Sequence, residues 1–270
     1  MSVKKEPNGR RSVQIEVEVP GTPEEVWQAI ATGQGVSSWF VPTTIDGRVG
    51  GKIVSNFGVA GDSEATITSW EAPHRMTAES QYPANAPAMA TEWTVEARDG
   101  GNCIVRVVHS LFAETDDWDD QLAGTENGWP VFFRILKLYL TRFRGQACST
   151  FMASSMAPVS GAQAYQTLAA ALGFAGASVG QRVAASADAP AFAGEVEGIR
   201  EGEFPYAFIL LDQPASGVAV LSICGMGEQS LNALSFYLYG EQAAEAAARD
   251  QSKWQEWIGS RFPAATAACS

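Results

Sequence analysis

The sequence contains two histidines, His74 and His109, and the second lies where it could take part in chemistry. His109 belongs to the segment NCIVRVVHSLF, in which apolar residues recur with the two-residue period of a β-strand. If Arg106 faces solvent, His109 shares the inner face of that strand with Val105 and Val107. An imidazole there could be a neutral group bonded to the backbone, a polar contact for a ligand, or a general base.

A general base needs a partner, and the inner strand positions supply few polar groups. The candidates are three serines and one glutamate: Ser55, Ser69, Ser80 and Glu92. They suggest no catalytic triad with His109. Ser110 follows His109 directly and therefore points to the opposite face of the strand, and the sequence has no G-x-S-x-G motif. The sequence thus argues against a serine hydrolase and assigns no catalytic residue.

Other motifs for metals and nucleotides also fail. The segment ETDDWDDQLAGTENGW concentrates carboxylates, but its glycine spacing does not match an EF-hand loop, so we predict a solvated acidic loop before a helix. DGRVGGK at 46–52 lacks the phosphate-loop spacing and lies between strands, where turn glycines are expected. The four cysteines form no C-x-x-C pair, as is typical of the reducing cytoplasm. We therefore predict no metal, no cofactor and a cytoplasmic location.

Strand and helix patterns indicate how His109 is positioned. Strand patterns separated by turn residues such as RDGGN occupy six segments of the first half: 11–19, 51–58, 64–72, 74–82, 90–98 and 102–112. Residues 126–146 carry apolar side chains at three- and four-residue spacing, the pattern of a helix with one buried face. The first half is therefore predicted to be a six-stranded antiparallel sheet covered by a closing helix.

The second half repeats this order. Its strand patterns lie at 147–155, 179–186, 191–199, 205–213, 217–225 and 231–240, and a closing helix is predicted at 241–262. The openings of the two halves also agree: Pro20, Thr22, Trp27 and Ile30 recur 138 residues later as Pro158, Ser160, Tyr165 and Leu168. Thr22 and Ser160 are natural N-caps for the helices that follow them.

The repeated order predicts two α+β domains in a chain of 270 residues. We place the first at 12–147 and the second, shorter one at 148–262, with a disordered tail at 1–11 and another at 263–270. The alternative is one large α+β domain in which the second half extends the first sheet.

Net charge and hydropathy restrict the partners. The formal charge is −12, which opposes binding to the phosphates of nucleic acid and to anionic membranes. No window approaches the roughly 18 consecutive apolar residues of a membrane span. We expect neither nucleic acid as a partner nor a membrane span.

The stretch QIEVEVPGTPEEVWQAIATGQGVSSWFVP resembles the opening of the START-related helix-grip (SRPBCC, Bet v 1-like) superfamily. HSLF at 109–112 and GWP at 128–130 make it similar to the branch named after activators of heat-shock protein ATPase. The resemblance covers about residues 12–147 and implies a curved antiparallel sheet around a long C-terminal helix, with a cavity between them. The second half lacks these motifs, so we interpret it as a degenerate tandem copy.

The resemblance also implies which residues line the cavity. Aromatic side chains gather at such walls, and the predicted ligand-binding residues are Trp39, Phe57, Trp93, Val95, Val107, His109, Trp129 and Phe133. Simple core packing is the alternative for this set, since a sheet under one helix needs bulky residues in any case.

We therefore predict non-catalytic binding of a small apolar or amphipathic ligand, with His109 as its polar contact. A protein-interaction module for a chaperone or another protein is the alternative, and a hydrolase or cyclase using the same cavity is the third possibility. An open cavity favours the first, a filled interior with an exposed patch the second, and His109 bonded to a second polar group inside an open pocket the third.

Overall fold

The computed structural model describes residues 3–58, 61–81, 87–113, 119–202 and 204–262, with only the backbone at 119–121 and 123–127. Its chain forms two compact units, Met1–Gly145 and Gln146–Ser270. Each unit contains one large antiparallel sheet and a few helices. The predicted α+β class is confirmed.

Eight strands form the N-terminal sheet in the described part of that unit. They are β1 Lys4–Lys5, β2 Arg10–Pro20, β3 Thr43–Ile45, β4 Lys52–Asn56, β5 Asp62–Glu71, β6 Arg75–Ser80, β7 Met89–Arg98 and β8 Asn102–Phe112. Their order in the sheet is β1-β2-β8-β7-β6-β5-β4-β3. All six predicted segments form strands, and the prediction of six strands missed β1 and β3.

The two additional strands are too short to show a periodic pattern. Lys4 and Lys5 of β1 pair with Ser12 and Arg11 of β2. The turn between the two strands contains Gly9, which has a φ of +82°. Glycine adopts this left-handed conformation without steric cost. Residues 3–11 were therefore wrongly included in the predicted disordered tail. Their order comes from backbone pairing with β2, which needs no periodic apolar pattern and so leaves no signal in the sequence.

Helices α1 Pro23–Ala31, α2 Gly33–Ser37 and α3 Asp119–Leu138 pack on this sheet, and a π-helical turn, Tyr139–Phe143, continues α3. A capping box starts α1: the Thr22 hydroxyl accepts from the amide of Glu25, and the Glu25 carboxylate accepts from the amide of Thr22. Helix α3 begins at Asp119 and not at 126, so part of the predicted acidic loop is helical. The rest of that loop, residues 114–118, lies outside the described residues.

The two faces of the N-terminal sheet differ in chemistry. On one face, Arg106 donates to Glu16 on β2 and to Glu96 on β7. On the other, β2 and β8 contribute apolar side chains that are almost fully buried, as are inner residues of α3 and of the π-helical turn: Val13, Ile15, Val105, Val107, Leu136 and Leu140. His109 lies on this second face and is 7% exposed.

The C-terminal unit has six strands in the order β10-β11-β12-β13-β14-β9. Their bounds, with those of the helices, are β9 Cys148–Ala157, α4 Gly161–Ala171, β10 Arg182–Ala184, β11 Ala193–Arg200, β12 Tyr206–Gln213, β13 Gly217–Met226, β14 Gln229–Tyr239 and α5 Ala243–Ser260. The Gln255 side chain of α5 bonds both the amide and the carbonyl of Ser154 on β9, at 3.1 and 2.8 Å. This contact covers an otherwise unpaired stretch of the edge strand.

Replacing Thr22 with alanine tests the capping box. Thr22→Ala removes the acceptor for the Glu25 amide at the start of α1, which should lower the free energy of unfolding of the N-terminal unit by about 1 kcal/mol. Urea denaturation followed by tryptophan fluorescence measures this change. Thr22→Ser keeps the oxygen and should stay close to wild type, and an equal loss in both variants would contradict the capping role.

Candidate functional site

A cavity of about 380 Å³ lies between the helices and the inner face of the N-terminal sheet. Ile30 of α1 and Val36 of α2 close one side, strands β3 to β8 form the floor, and Trp129 and Phe132 of α3 form part of the wall. The volume falls in the range of small-molecule sites. The cavity therefore has the size of a ligand site and not of a packing defect.

The cavity wall is largely apolar and uncharged. None of the described residues that line it is Lys, Arg, Asp or Glu. Its polar members are Thr43, Ser55, Ser63, Ser80, Thr91 and His109. An ionised ligand would lose its hydration here without gaining a counter-charge, so the wall suits an uncharged molecule.

A cluster of aromatic rings forms the wall beside α3. The Trp39 indole is buried and donates to the carbonyl of Ala29 at 2.9 Å. The Trp129 ring stacks on Phe40, with centroids 5.5 Å apart and planes 11° apart, and meets Trp93 edge-on at 5.1 Å. These contacts hold the rings in fixed orientations and present flat apolar surface to the cavity.

Both ring nitrogens of His109 are bonded to protein groups. Trp129 Nε1 lies 2.7 Å from His109 Nε2, and Thr91 Oγ1 lies 2.9 Å from His109 Nδ1. Burial lowers the pKa of His109 to about 4. The imidazole is therefore neutral at physiological pH, with a defined partner on each side.

The partners of His109 also fix the position of its proton. An indole N–H can only donate, so His109 Nε2 must accept and carries no hydrogen. The neutral ring therefore carries its proton on Nδ1 and donates it to Thr91 Oγ1. The result is a directed chain from Trp129 through His109 to Thr91.

A second polar pair lies across the cavity. The Thr43 hydroxyl donates to the carbonyl of Val41 at 2.8 Å, and its oxygen lies 3.0 Å from Ser55 Oγ. Because the Thr43 hydrogen is already used, Ser55 is the donor in this pair. Ser55 is thus held by the neighbouring strand β3.

The family model that matches the chain describes an activator of Hsp90 ATPase homolog 1-like protein, and its match spans residues 20–141. This range contains α1 through α3 and most of the sheet and the cavity wall. The N-terminal unit belongs to this family. A comparison with curated proteins found no match.

Solved structures similar to the chain include three named proteins. CalU16 from Micromonospora echinospora is 21% identical over 52% of this chain and 83% of its own, with a TM-score of 0.42. The Aha1 dimer from Colwellia psychrerythraea is 23% identical over 48% and 95%, with a TM-score of 0.41. DynU16, of the dynemicin biosynthetic locus, is 13% identical over 93% and 96%, with a TM-score of 0.42.

The cavity of this Hsp90-activator-like unit contains five of the eight predicted ligand-binding residues: Trp39, Phe57, Trp93, His109 and Trp129. The other three are buried but do not line it. Val95 and Val107 lie nearer the β7–β8 turn, and Phe133 packs behind the wall with its ring against Trp93 and Trp129. Strand period gives the face of a residue but not its distance from a cavity.

Two other inner-face assignments were wrong. Glu92 lies on the outer face of the sheet, where it pairs with Arg75. Ser69 does not line the cavity and bonds Thr77, because a register shift between Ile67 and Ser69 changes the alternation in β5. Ser55 and Ser80, in contrast, do line the cavity.

Sequence reasoning missed Thr91, which supplies the partner of His109. The signal was present, because the RDGGN turn sets the register of the β7–β8 hairpin and places Thr91 directly opposite His109. Phe40 and Phe132 were also missed as wall residues. Phe40 lies beside Trp39 in the motif that carried the family resemblance.

Two features are absent from the described residues as a whole. No group of three or more His, Cys, Asp or Glu side chains there is arranged to hold a metal ion. No helix in the described part of the chain combines the length and apolar character needed to cross a bilayer.

The buried neutral state of His109 predicts a specific acid sensitivity. The unfolded chain binds a proton at this residue below about pH 6.5, whereas the folded chain does so only near pH 4. Stability is therefore complete above about pH 6.5 and is lost as the pH falls towards 4. Between about pH 7 and about pH 4.5 this residue should remove about 2.5 kcal/mol of unfolding free energy.

His109→Gln is the matched variant, since its amide can accept from Trp129 and donate to Thr91 without titrating. Urea denaturation at both pH values should show a smaller acid loss in the variant, by about that amount. His74 and the carboxylates are common to both proteins and cancel. Equal acid losses in the two proteins would show that His109 is not held neutral.

Proposed function

We propose that the N-terminal unit binds a small, uncharged and largely apolar molecule in the cavity, without catalysing a reaction. The observation that carries this proposal is a space of about 380 Å³ with aromatic walls and no charged lining residue among those described. Flat aromatic surface supplies apolar contact area, and a few fixed hydroxyl groups supply orientation.

The geometry of His109 supports a binding role over a catalytic one. A second polar group, Thr91, does lie within hydrogen-bond distance inside the cavity, as an enzyme would require. However, His109 donates to Thr91 and cannot take its proton, and Nε2 is occupied by Trp129. Activation of a hydroxyl nucleophile needs the reverse direction of proton transfer. A hydrolase or cyclase that uses His109 as its base is therefore disfavoured.

We also propose that the two units are tandem helix-grip domains, at 12–147 and 148–262. The support is their connectivity: the first long strand of each unit pairs with its last strand, β2 with β8 and β9 with β14. In both units one or two short helices follow that first strand and a long helix closes the unit. On this view the second domain is the shorter copy, with fewer sheet strands.

Filling the cavity tests the proposed function. Ala78→Phe places a ring at a wall position of β6, which should abolish binding of N-phenyl-1-naphthylamine, an uncharged apolar fluorescent probe. Wild type should enhance the fluorescence of the probe in a saturable manner. Ala90→Phe adds the same ring to the opposite face of the sheet and should bind as wild type does.

Near-UV circular dichroism of each variant shows whether the fold is retained. An Ala78→Phe protein that is folded and still binds the probe with wild-type affinity would place the binding outside the cavity. If none of the uncharged apolar probes tested bound saturably to wild type, the proposed function itself would be rejected.

The family match favours a second candidate function, an interaction with a chaperone ATPase through the outer surface of the N-terminal unit. Such a partner would not depend on the cavity. If this is the function, wild type should stimulate the ATPase of an Hsp90-type chaperone, and Ala78→Phe should stimulate it equally. Stimulation without binding of any uncharged probe would favour this candidate over the first.

A further inference from the structure

The hydrogen bonds from Trp129 to His109 and from His109 to Thr91 determine the role of the Thr91 hydroxyl. Thr91 Oγ1 uses a lone pair to accept from His109 Nδ1, so its own hydrogen remains to be donated. Among the described residues the structure shows no acceptor for that hydrogen, and Thr91 lines the cavity. Hydroxyl groups without such a constraint, such as those of Ser63 and Ser80, can rotate to donate or to accept.

From this arrangement we infer that Thr91 donates a hydrogen bond to an acceptor oxygen, such as a carbonyl, of the molecule in the cavity. The inference rests on the proposed function and adds the ligand's chemical class: an uncharged, largely apolar compound that carries a ketone, quinone or similar acceptor. A ligand donor could use only the second lone pair of Thr91 Oγ1 and would leave the hydroxyl hydrogen without an acceptor, whereas a ligand acceptor satisfies that hydrogen. Polarisation along the chain strengthens the donor, because each bond increases the acidity of the next hydrogen.

The direction of the chain depends on neutral His109. A protonated ring would carry hydrogens on both nitrogens and would oppose the Trp129 N–H at 2.7 Å. A ring with its proton on Nε2 would create the same conflict. The indole of Trp129 therefore selects the one form of His109 that leaves Thr91 as a donor towards the cavity.

A matched pair of probes separates this inference from the proposed function. Fluorene and 9-fluorenone have nearly the same size and planar shape, but only fluorenone carries a carbonyl. Calorimetry or quenching of the cavity tryptophans gives both affinities for the full-length protein. We expect wild type to bind both compounds and to prefer fluorenone.

Thr91→Val removes the hydroxyl and keeps the shape of the side chain. It should weaken fluorenone binding by about fivefold, the effect of one net hydrogen bond, and leave fluorene binding unchanged. Thr94→Val is the control, because Thr94 lies on the same strand but pairs with Arg106 on the outer face. It should change neither affinity.

The outcomes distinguish the two proposals. If neither probe binds to wild type, the proposed function fails. If both probes bind and Thr91→Val changes neither affinity, the cavity is a ligand site but the donor role of Thr91 is wrong. A loss of both affinities in a folded Thr91→Val protein would assign Thr91 a packing role and also overturn the inference.

The tautomer of His109 gives an independent readout. Nitrogen-15 chemical shifts of the imidazole report which ring nitrogen carries the proton, and the sequence has only two histidines, so His74→Gln assigns the signals. We expect the proton of His109 on Nδ1 in the free protein at neutral pH. A proton on Nε2 would reverse the bond to Thr91 and overturn the inference.

Discussion

The hydrogen bond from Trp129 to His109 is the contact on which the site depends. It joins α3 to the inner face of β8 beside the cavity, where packing between the helix and the sheet is incomplete. Both groups are buried, so separating them would leave an indole N–H and an imidazole nitrogen without partners, at a cost of about 1–3 kcal/mol for each group. The next residue, Pro130, has no amide hydrogen for the helix ladder, so side-chain contacts matter at this point of α3.

Side-chain size along the inner face explains where the cavity lies. Near β2 and β8 that face carries the buried residues Val13, Ile15 and Val105, and α3 contacts β2 there. On β4, β5 and β6 five of the seven residues that line the cavity are small, namely Ser55, Ser63, Ala65, Ala78 and Ser80, and the other two are Ile53 and Met76. In the C-terminal unit, by contrast, large rings occupy the core between sheet and helix: Phe151, Phe192, Phe236 and Trp254. The open space in the first unit is thus encoded by small residues on three neighbouring strands.

The sequence allowed much of this arrangement to be predicted, and its failures have physical causes. The two-residue period gave the long strands and the face of His109, and the hairpin turn held the information that places Thr91 opposite it. The bulge in β5 was not visible in the sequence, because an extra residue reverses the alternation without a local signal. The start of α3 was obscured by acidic residues, which are typical both of solvated loops and of the first turn of a helix.

The chemistry of the cavity follows from a group that cannot reverse its role. Serine, threonine and neutral histidine can each donate or accept, so a network made of these residues alone has no fixed direction. An indole can only donate, and placing Trp129 at one end orders every bond that follows. Because burial lowers the pKa of His109 to about 4, this order persists over the whole physiological pH range. In the proposed ligand site Trp129 therefore has two roles: it forms part of the aromatic wall and, through His109, it sets the direction of the hydroxyl that Thr91 presents to the cavity.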